Sequence, residues 1–460
     1  MGRGFRQTRR ALGYAVLLGG DTPILVEAIA ATRGMAPGPL LGGATAFSNG
    51  TDEVAWTTTA FYRAGPSGIP AGTMKAVCSN WTNNGAEQSG LNAIRVRPVL
   101  HRADGTLYGA SAGLQTVAID ENRKIAIPNP DIAPYEGFFI RTDIEVDAGG
   151  KVPLTRPLSN VLLKPDNLPD TRVAEGSNRK NYSYSQNNVG THQAGTVSVL
   201  ANNNTAGSDF APTMILGMVP ANELRIETVG TSIPSGVNDD RAYYVDREIG
   251  GIHHFVARFR CPYLAVTRSS GTMFDFNSAS PRRQALIEMA RCTMGINELG
   301  TNDNGNATTF ANFRDNGSIA TWFRQYGFCG GGRPIFGQVM DPRTTVANDA
   351  SAYGTGSIGE AIWLADRDWK RDGAPLNPVT RTGLPVGTAP SATCVRAGQA
   401  GHPLVGILDA LSMVENSANP LLWTPAYNPG DGVHRNQPGH ALWKTFLPDF
   451  VPTWKASPVT

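Results

Sequence analysis

The residues able to do chemistry in this chain of 460 residues fall in three short stretches. The first is Leu224 to Gly236, LRIETVGTSIPSG, an alternating strand that breaks at Gly230, presents Thr231 and Ser232, and turns again at Pro234 and Gly236. A serine between backbone-permissive positions at the carboxyl end of a strand is where an open α/β sheet holds a nucleophile. The second stretch is Arg291 to Gly305, RCTMGINELGTNDNG, and the third is Asn428 to Gly439, NPGDGVHRNQPG. To cleave an ester, a serine oxygen must lose its proton as it attacks, and an imidazole within hydrogen-bond reach is the usual acceptor; His434 is the candidate. Asp431 stands three positions earlier, a spacing that lets both side chains work from one turn. Taken singly, Gly-Thr-Ser is also an ordinary polar loop, and Asp-x-x-His an ordinary surface pair.

Together and in this order, the three stretches resemble the SGNH (GDSL-type) hydrolase superfamily. Gly230-Thr231-Ser232-Ile233 takes the place of its Gly-Asp-Ser block, Gly300-Thr301-Asn302-Asp303 that of its Gly-x-Asn-Asp block, and Asp431-Gly432-Val433-His434 that of its Asp-x-x-His block. The resemblance implies a serine ester hydrolase with Ser232 as nucleophile, His434 as base and Asp431 as the carboxylate that orients the imidazole. It also implies an oxyanion hole made by the backbone N–H of Ser232, a backbone N–H at Gly271 and the side-chain amide of Asn302, with Asn297 the rejected rival for the last role. The Asn that often precedes the glycine in the family is missing before Gly271. Thr231 stands where the family has Asp, and Arg435 where it has Pro. We expect Thr231 and Arg435 at the substrate side, with Arg435 either at the pocket mouth, attracting an anionic substrate, or simply solvated.

The elements that must position these residues follow from the pattern of the chain. Its length predicts more than one domain. Charged residues make up 17% and the formal net charge is +2, so no strong field draws nucleic acid or an acidic membrane. The 52 glycines and 32 prolines point to many turns and short strands. Residues 1–45 are expected as an arm that docks on another subunit or a neighbouring protein, with a targeting peptide as the alternative; neither apolar run there is long enough to span a bilayer. Residues 46–168 read as an all-β sandwich or jelly-roll-like module, from short alternating segments separated by Asn49-Gly50, Asp104-Gly105 and similar turns. Its Trp56, Tyr62 and Trp81 read as core, with a sugar-stacking platform as the alternative. Residues 169–220 read as a polar linker or hairpin, with Tyr182 and Tyr184 interleaved among Asn and Ser.

Residues 221–460 alternate strand and helix and predict a three-layer α/β/α domain on a parallel sheet, the architecture the resemblance also implies. Helices are expected at 242–258, at 280–290 with Pro281 in the first turn and Ser280 as cap, and at 308–326. Residues 341–418, rich in Gly, Pro and Thr and carrying Trp363, Trp369 and Arg371, are expected as an insertion forming a lid or pocket wall, or a peripheral subunit contact. Gly406 to Val414 is read as a returning helix. The five cysteines, at 78, 261, 292, 329 and 394, form no CxxC pair and read as free core thiols. No metal and no cofactor are expected: the histidines lack ligand spacing, and Gly330-Gly331-Gly332 does not lead into a Lys-Ser or Lys-Thr pair. The reading is an esterase that deacylates a carbohydrate, with homo-oligomerisation or docking to a larger assembly. A phage spike or fibre is the expected setting and a secreted or periplasmic enzyme the alternative. The rival function is a glycan-binding or structural virion protein that retains the fold without turnover.

Overall fold

The computed structural model describes residues 23–33, 55–153 apart from 85, 110, 112, 148, 149 and 151, the pair 183–184, 210–234, 252, 256, 259, 261–267, 270–328 apart from 304, and 334–444 apart from 353–357 and 429. Most of the helix expected at 242–258, residues 1–22, and nearly all of the polar linker before 210 lie outside the described residues.

The first half is an antiparallel sheet. Its strands are β1 (Leu25–Arg33), β2 (Ala55–Ala64), β3 (Lys75–Ser79), β4 (Trp81–Asn84), β5 (Ala86–Ser89), β6 (Ile94–Arg102), β7 (Gln115–Val117), β8 (Asn122–Ala126), β9 (Gly137–Glu145), β10 (Ser183–Tyr184) and β11 (Met214–Pro220). The hydrogen-bonded order is β7-β6-β9-β2-β1-β11-β3-β8, with β10 on β2 and the β4-β5 hairpin apart. One continuous path thus runs through what the sequence reads as two stacked sheets. Strand β1 comes from the stretch expected as an arm and β11 from the expected linker; they pair antiparallel from Leu25↔Pro220 to Ala31↔Ile215. Alternation decides which side is buried: Ile94 and Val96 of β6 point into the core and Arg95 points out. Tyr62 and Trp81 are fully buried, so they pack rather than present a sugar platform. The Tyr62 hydroxyl donates to the Pro212 carbonyl, and its ring stacks on Phe138. The side chain of Trp56 lies outside the described residues.

The second half is built on a five-stranded parallel sheet, β12 (Ile226–Gly230), β13 (Tyr263–Thr267), β14 (Met294–Asn297), β15 (Ile335–Gln338) and, after the small β16 (Leu376–Asn377) and β17 (Thr382–Gly383) hairpin, β18 (Leu404–Leu408). The order β13-β12-β14-β15-β18 reverses direction between β12 and β14. The loops leaving those two strands therefore depart to opposite sides and leave a crevice, where open α/β sheets place ligands. Strand β12 is buried at every position, as a central parallel strand must be. Two expectations are corrected here. Leu404–Leu408, inside the expected insertion and overlapping the expected helix at 406–414, is the fifth strand; a short apolar run does not by itself separate strand from helix. The helix expected at 308–326 is composite: after α1 (Met273–Ser278) and α2 (Pro281–Ala290), α3 (Phe310–Asn312) passes through a π-helical turn at Phe313–Ile319 into α4 (Ala320–Gly327).

Helix α2 joins the two halves. Pro281 occupies its first turn as expected, but Ser280 makes no side-chain cap bond. The Glu87 carboxylate of β5 accepts from the backbone N–H groups of Arg282 and Arg283 instead, satisfying two amides at the helix start and placing negative charge at its positive end. One apolar cluster then runs from Ile29, Trp81 and Leu216 of the antiparallel sheet to Val229, Leu264 and Leu286 of the α/β part. The expected insertion is also partly core: α5 (Glu360–Arg371) buries Trp363 and Trp369, and Trp369 stacks on Trp322 with ring centroids 5.5 Å apart. Among the described residues, Cys78, Cys261, Cys292 and Cys394 are buried, and no helix is long and apolar enough to cross a membrane.

Candidate active site

Three of the sequence-selected side chains meet at the carboxyl ends of the parallel strands. Ser232 follows β12 directly, and its Oγ lies 2.7 Å from His434 Nε2. On the other side of the ring, His434 Nδ1 lies 2.8 Å from Asp431 Oδ2. The arrangement fits the tautomer in which Nδ1–H donates to the carboxylate and Nε2 accepts from the hydroxyl. The turn is self-supporting, because Asp431 Oδ1 also accepts from the backbone N–H groups of Val433 and His434 at 2.8 and 2.9 Å. Partial burial pushes the Asp431 carboxyl up, but hydrogen bonds from the His434 amide and ring and from the Val433 amide outweigh it and hold the group below the usual carboxylate range. It remains a carboxylate wherever the imidazole beside it needs one.

Glycine fixes this turn in place. Gly432 has φ +72°, and a Cβ there would stand 2.0 Å from the carbonyl oxygen of Thr344. Only a bare Cα allows the Thr344 amide to donate to the Gly432 carbonyl at 2.8 Å, docking the Asp431 turn on the loop after β15. The indole N–H of Trp423, at the end of β20 (Asn419–Trp423, paired with β19 at Glu415–Asn416), donates to the same carbonyl.

Two of the three expected oxyanion residues, Asn302 and Gly271, are also in contact with each other. The Asn302 side-chain amide donates to the Gly271 carbonyl at 3.3 Å, linking the loop after β14 to the loop after β13. An amide nitrogen carries two N–H groups, so this bond leaves capacity for a second acceptor. Asp303 reinforces the link: its carboxylate accepts from the Met273 amide at 3.0 and 3.2 Å and from the Phe274 amide at 3.5 Å, at the start of α1. Burial raises the Asp303 carboxyl to about 7 despite those bonds. Ser270, just before Gly271, has φ +59°, a left-handed conformation uncommon outside glycine and characteristic of constrained functional loops. Asn297, the rejected rival, lies in β14 itself and donates to Gln325.

Two expectations about the substrate side are corrected. Arg435 is fully buried and does not reach a pocket mouth: its Nε donates to Asp341 Oδ2 at 2.6 Å, Nη2 to Asp341 Oδ1 and the Ala410 carbonyl, and the guanidinium lies over the Trp443 ring. A charge so far from water is held only because a buried carboxylate and carbonyls satisfy it. Thr231 is likewise buried, and its N–H and hydroxyl both donate to Glu298. What the sequence reading missed is the supporting set: Glu298 under the Ser232 turn, Asp341 opposite Arg435, and Arg343, whose Nη1 lies 3.4 Å from Asn302 Oδ1. Glu298 stands directly before the Gly300 to Asp303 block in the Glu-Leu-Gly-Thr-Asn-Asp run, whereas Asp341 and Arg343 only follow the short apolar run 335–340.

No family model matches the chain, and no curated protein matches it in sequence. Its structure is similar to solved esterase structures. An active-site mutant of a family two carbohydrate esterase from Clostridium thermocellum aligns over 95% of this chain and 99% of its own at 9% identity, with a TM-score of 0.31. A family two carbohydrate esterase from Cellvibrio japonicus aligns over 76% and 85% at 10% identity and a TM-score of 0.24. A structure from Desulfitobacterium hafniense, described as a lipolytic protein of the G-D-S-L family, aligns over 48% of this chain and 95% of its own at 11% identity and 0.31.

Proposed function

We propose that the chain is a serine ester hydrolase of SGNH type that removes acetyl or similar small acyl groups from a carbohydrate. The observation that carries this reading is the unbroken relay from Ser232 Oγ through the His434 ring to Asp431, at 2.7 and 2.8 Å. In the reaction, Ser232 Oγ attacks the ester carbonyl carbon while its proton passes to His434 Nε2. The tetrahedral intermediate places negative charge on the former carbonyl oxygen, which the Ser232 N–H, the Gly271 N–H and the Asn302 amide stabilise. Its collapse breaks the bond to the leaving oxygen, which takes the proton from His434. Water, deprotonated by the same imidazole, then attacks the acyl carbon; the bond to Ser232 Oγ breaks, His434 returns the proton to Oγ, and the acid leaves. Asp431 stays ionised throughout and stabilises the transient imidazolium.

The test is hydrolysis of p-nitrophenyl acetate by the full chain and by Ser232→Ala, with acetate release from an acetylated polysaccharide as the second substrate. We expect the variant to lose at least about 10³-fold in kcat, since the attacking group is gone. Equal rates in the two proteins would remove the hydrolase reading. The carbohydrate substrate and a phage spike or fibre setting rest on an esterase-like domain joined to a β module, a fold-level analogy. A glycan array and proteomics of purified virions test them.

A further inference from the structure

We infer that Glu298 is the positioning residue of the nucleophile turn: from the end of β14 its carboxyl group holds both neighbours of Ser232 and so sets where Oγ stands opposite His434. The inference rests on Ser232 being the nucleophile and names a group that the relay itself does not use.

The need for such a group follows from the sheet. Strand β12 pairs with β13 as far as Gly230↔Thr267, but with β14 only as far as Val229↔Asn297. The Glu298 amide makes the last ladder bond, to the Val229 carbonyl at 2.9 Å, and β14 then leaves the sheet. The Thr231 amide lies next along the edge, beyond the last β14 pair. Buried as it is, it must still find an acceptor, and it finds Glu298 Oε2 at 2.8 Å. The Thr231 hydroxyl also reaches the carboxyl, 2.9 Å from Oε2 and 3.2 Å from Oε1, and in turn accepts from the Ile233 amide at 3.3 Å. Residues 231 and 233 are therefore tied, one directly and one through the threonine hydroxyl, to a single side chain, with Ser232 between them. Gly230 makes room for it: a Cβ there would lie 2.9 Å from Oε2 and 2.5 Å from Pro234 Cγ.

The surroundings explain why an acid can serve there. Glu298 is 2% exposed, and burial raises its carboxyl to about 8, with the Asp341 carboxylate pushing the same way and the Thr231 bonds and Lys370 opposing. Asp341 is neutralised by Arg435, and Lys370 is paired with Asp366 at 2.8 Å. Burial therefore favours the protonated acid, which still offers an acceptor oxygen to the Thr231 amide and hydroxyl. A glutamine reproduces that shape, its carbonyl oxygen taking the place of Oε2 and accepting from the Thr231 amide and hydroxyl.

The experiment compares wild type, Ser232→Ala, Glu298→Ala and Glu298→Gln by kcat and KM for p-nitrophenyl acetate at neutral pH, each checked for folding by thermal unfolding. Loosening a catalytic group by about 1 Å costs on the order of 10²-fold. Glu298→Ala is therefore expected to lose about 10²-fold in kcat with KM unchanged within about threefold, and Glu298→Gln to recover to within about fivefold of wild type. A folded Glu298→Ala with wild-type kcat overturns the inference, as does a Gln variant no better than Ala. If Glu298→Ala does not fold, Thr231→Val, which deletes the hydroxyl link, is expected to lose about tenfold in kcat; wild-type turnover in that variant overturns the inference equally. If Ser232→Ala retains wild-type activity, the nucleophile reading itself falls and this inference with it; an inactive Ser232→Ala beside a fully active Glu298→Ala removes the clamp alone.

Discussion

Replacing Gly432 by alanine adds one methyl group and tests whether the Asp431 turn positions the relay. The methyl carbon would stand 2.0 Å from the Thr344 carbonyl oxygen and 2.7 Å from the Thr344 carbonyl carbon, against ordinary contact from 3.4 Å upward. Relieving the first overlap needs a displacement of about 1.4 Å, the difference between 3.4 and 2.0 Å, and both obstacles are backbone, which no rotamer change can move. A non-glycine residue at φ +72° adds about 1–2 kcal/mol of conformational cost, and forcing a methyl into a packed contact about 1–3 kcal/mol. The turn will yield before the β15 loop does, because the latter is anchored through buried Asp341. Asp431 and His434 then move by about 1 Å, which costs on the order of 10²-fold in rate. We expect kcat for p-nitrophenyl acetate to fall about 10²-fold, KM to stay within about threefold, and Tm to drop. Gly430→Ala is the control. It has nearly the same φ, +75°, but nothing lies within 4 Å of its Cβ, so it carries the conformational cost without the clash and should keep kcat within a few-fold. A folded Gly432→Ala with wild-type kcat, or equal losses in the two variants, would refute the reasoning.

Two further predictions concern stability. Arg435→Met leaves Asp341 buried without its partner and should cost about 3–5 kcal/mol in urea unfolding, whereas the double variant with Asp341→Leu should recover most of it; an exposed arginine would show neither effect. His402 is held neutral between two backbone groups, with Nε2 donating to the Ala374 carbonyl at 2.9 Å and Nδ1 accepting from the Leu404 amide at 3.0 Å, and burial lowers it from 6.5 to about 4. The unfolded chain binds this proton below pH 6.5 and the native state does not, so the contribution is fully present above 6.5 and is lost as pH falls through about 4. It amounts to about 3 kcal/mol, and His402→Gln should flatten the stability curve across that window; parallel wild-type and variant curves would refute it.

The parts of the site that are legible in the sequence are those whose signal is local. Ser232 stands where a strand ends in a glycine, and Asp431 and His434 share one turn. Asn302 is flanked by the Gly300 and Asp303 that shape its loop. Each can be read from a window of a few residues, and their chain order along successive parallel strands then sends them to the same edge of the sheet. The misreadings all involve partners far away in sequence. Ser280 has the type of a cap, but Glu87, 195 residues from Arg282, takes over the helix start. Gly406–Leu408 reads as the start of a helix until β15 supplies its ladder. Arg435 shows the limit most plainly, since a guanidinium beside a candidate base reads as a substrate contact by its type alone. The carboxylate that makes it a core residue lies 94 positions earlier, at the end of a different strand. That pairing has a consequence for the turn, because Arg435 directly follows His434. With the guanidinium anchored to Asp341 and Gly432 seated on Thr344, the stretch carrying Asp431 and His434 is pinned at both ends to the loop after β15. The relay therefore depends on that loop as much as on the strand that leads into Ser232.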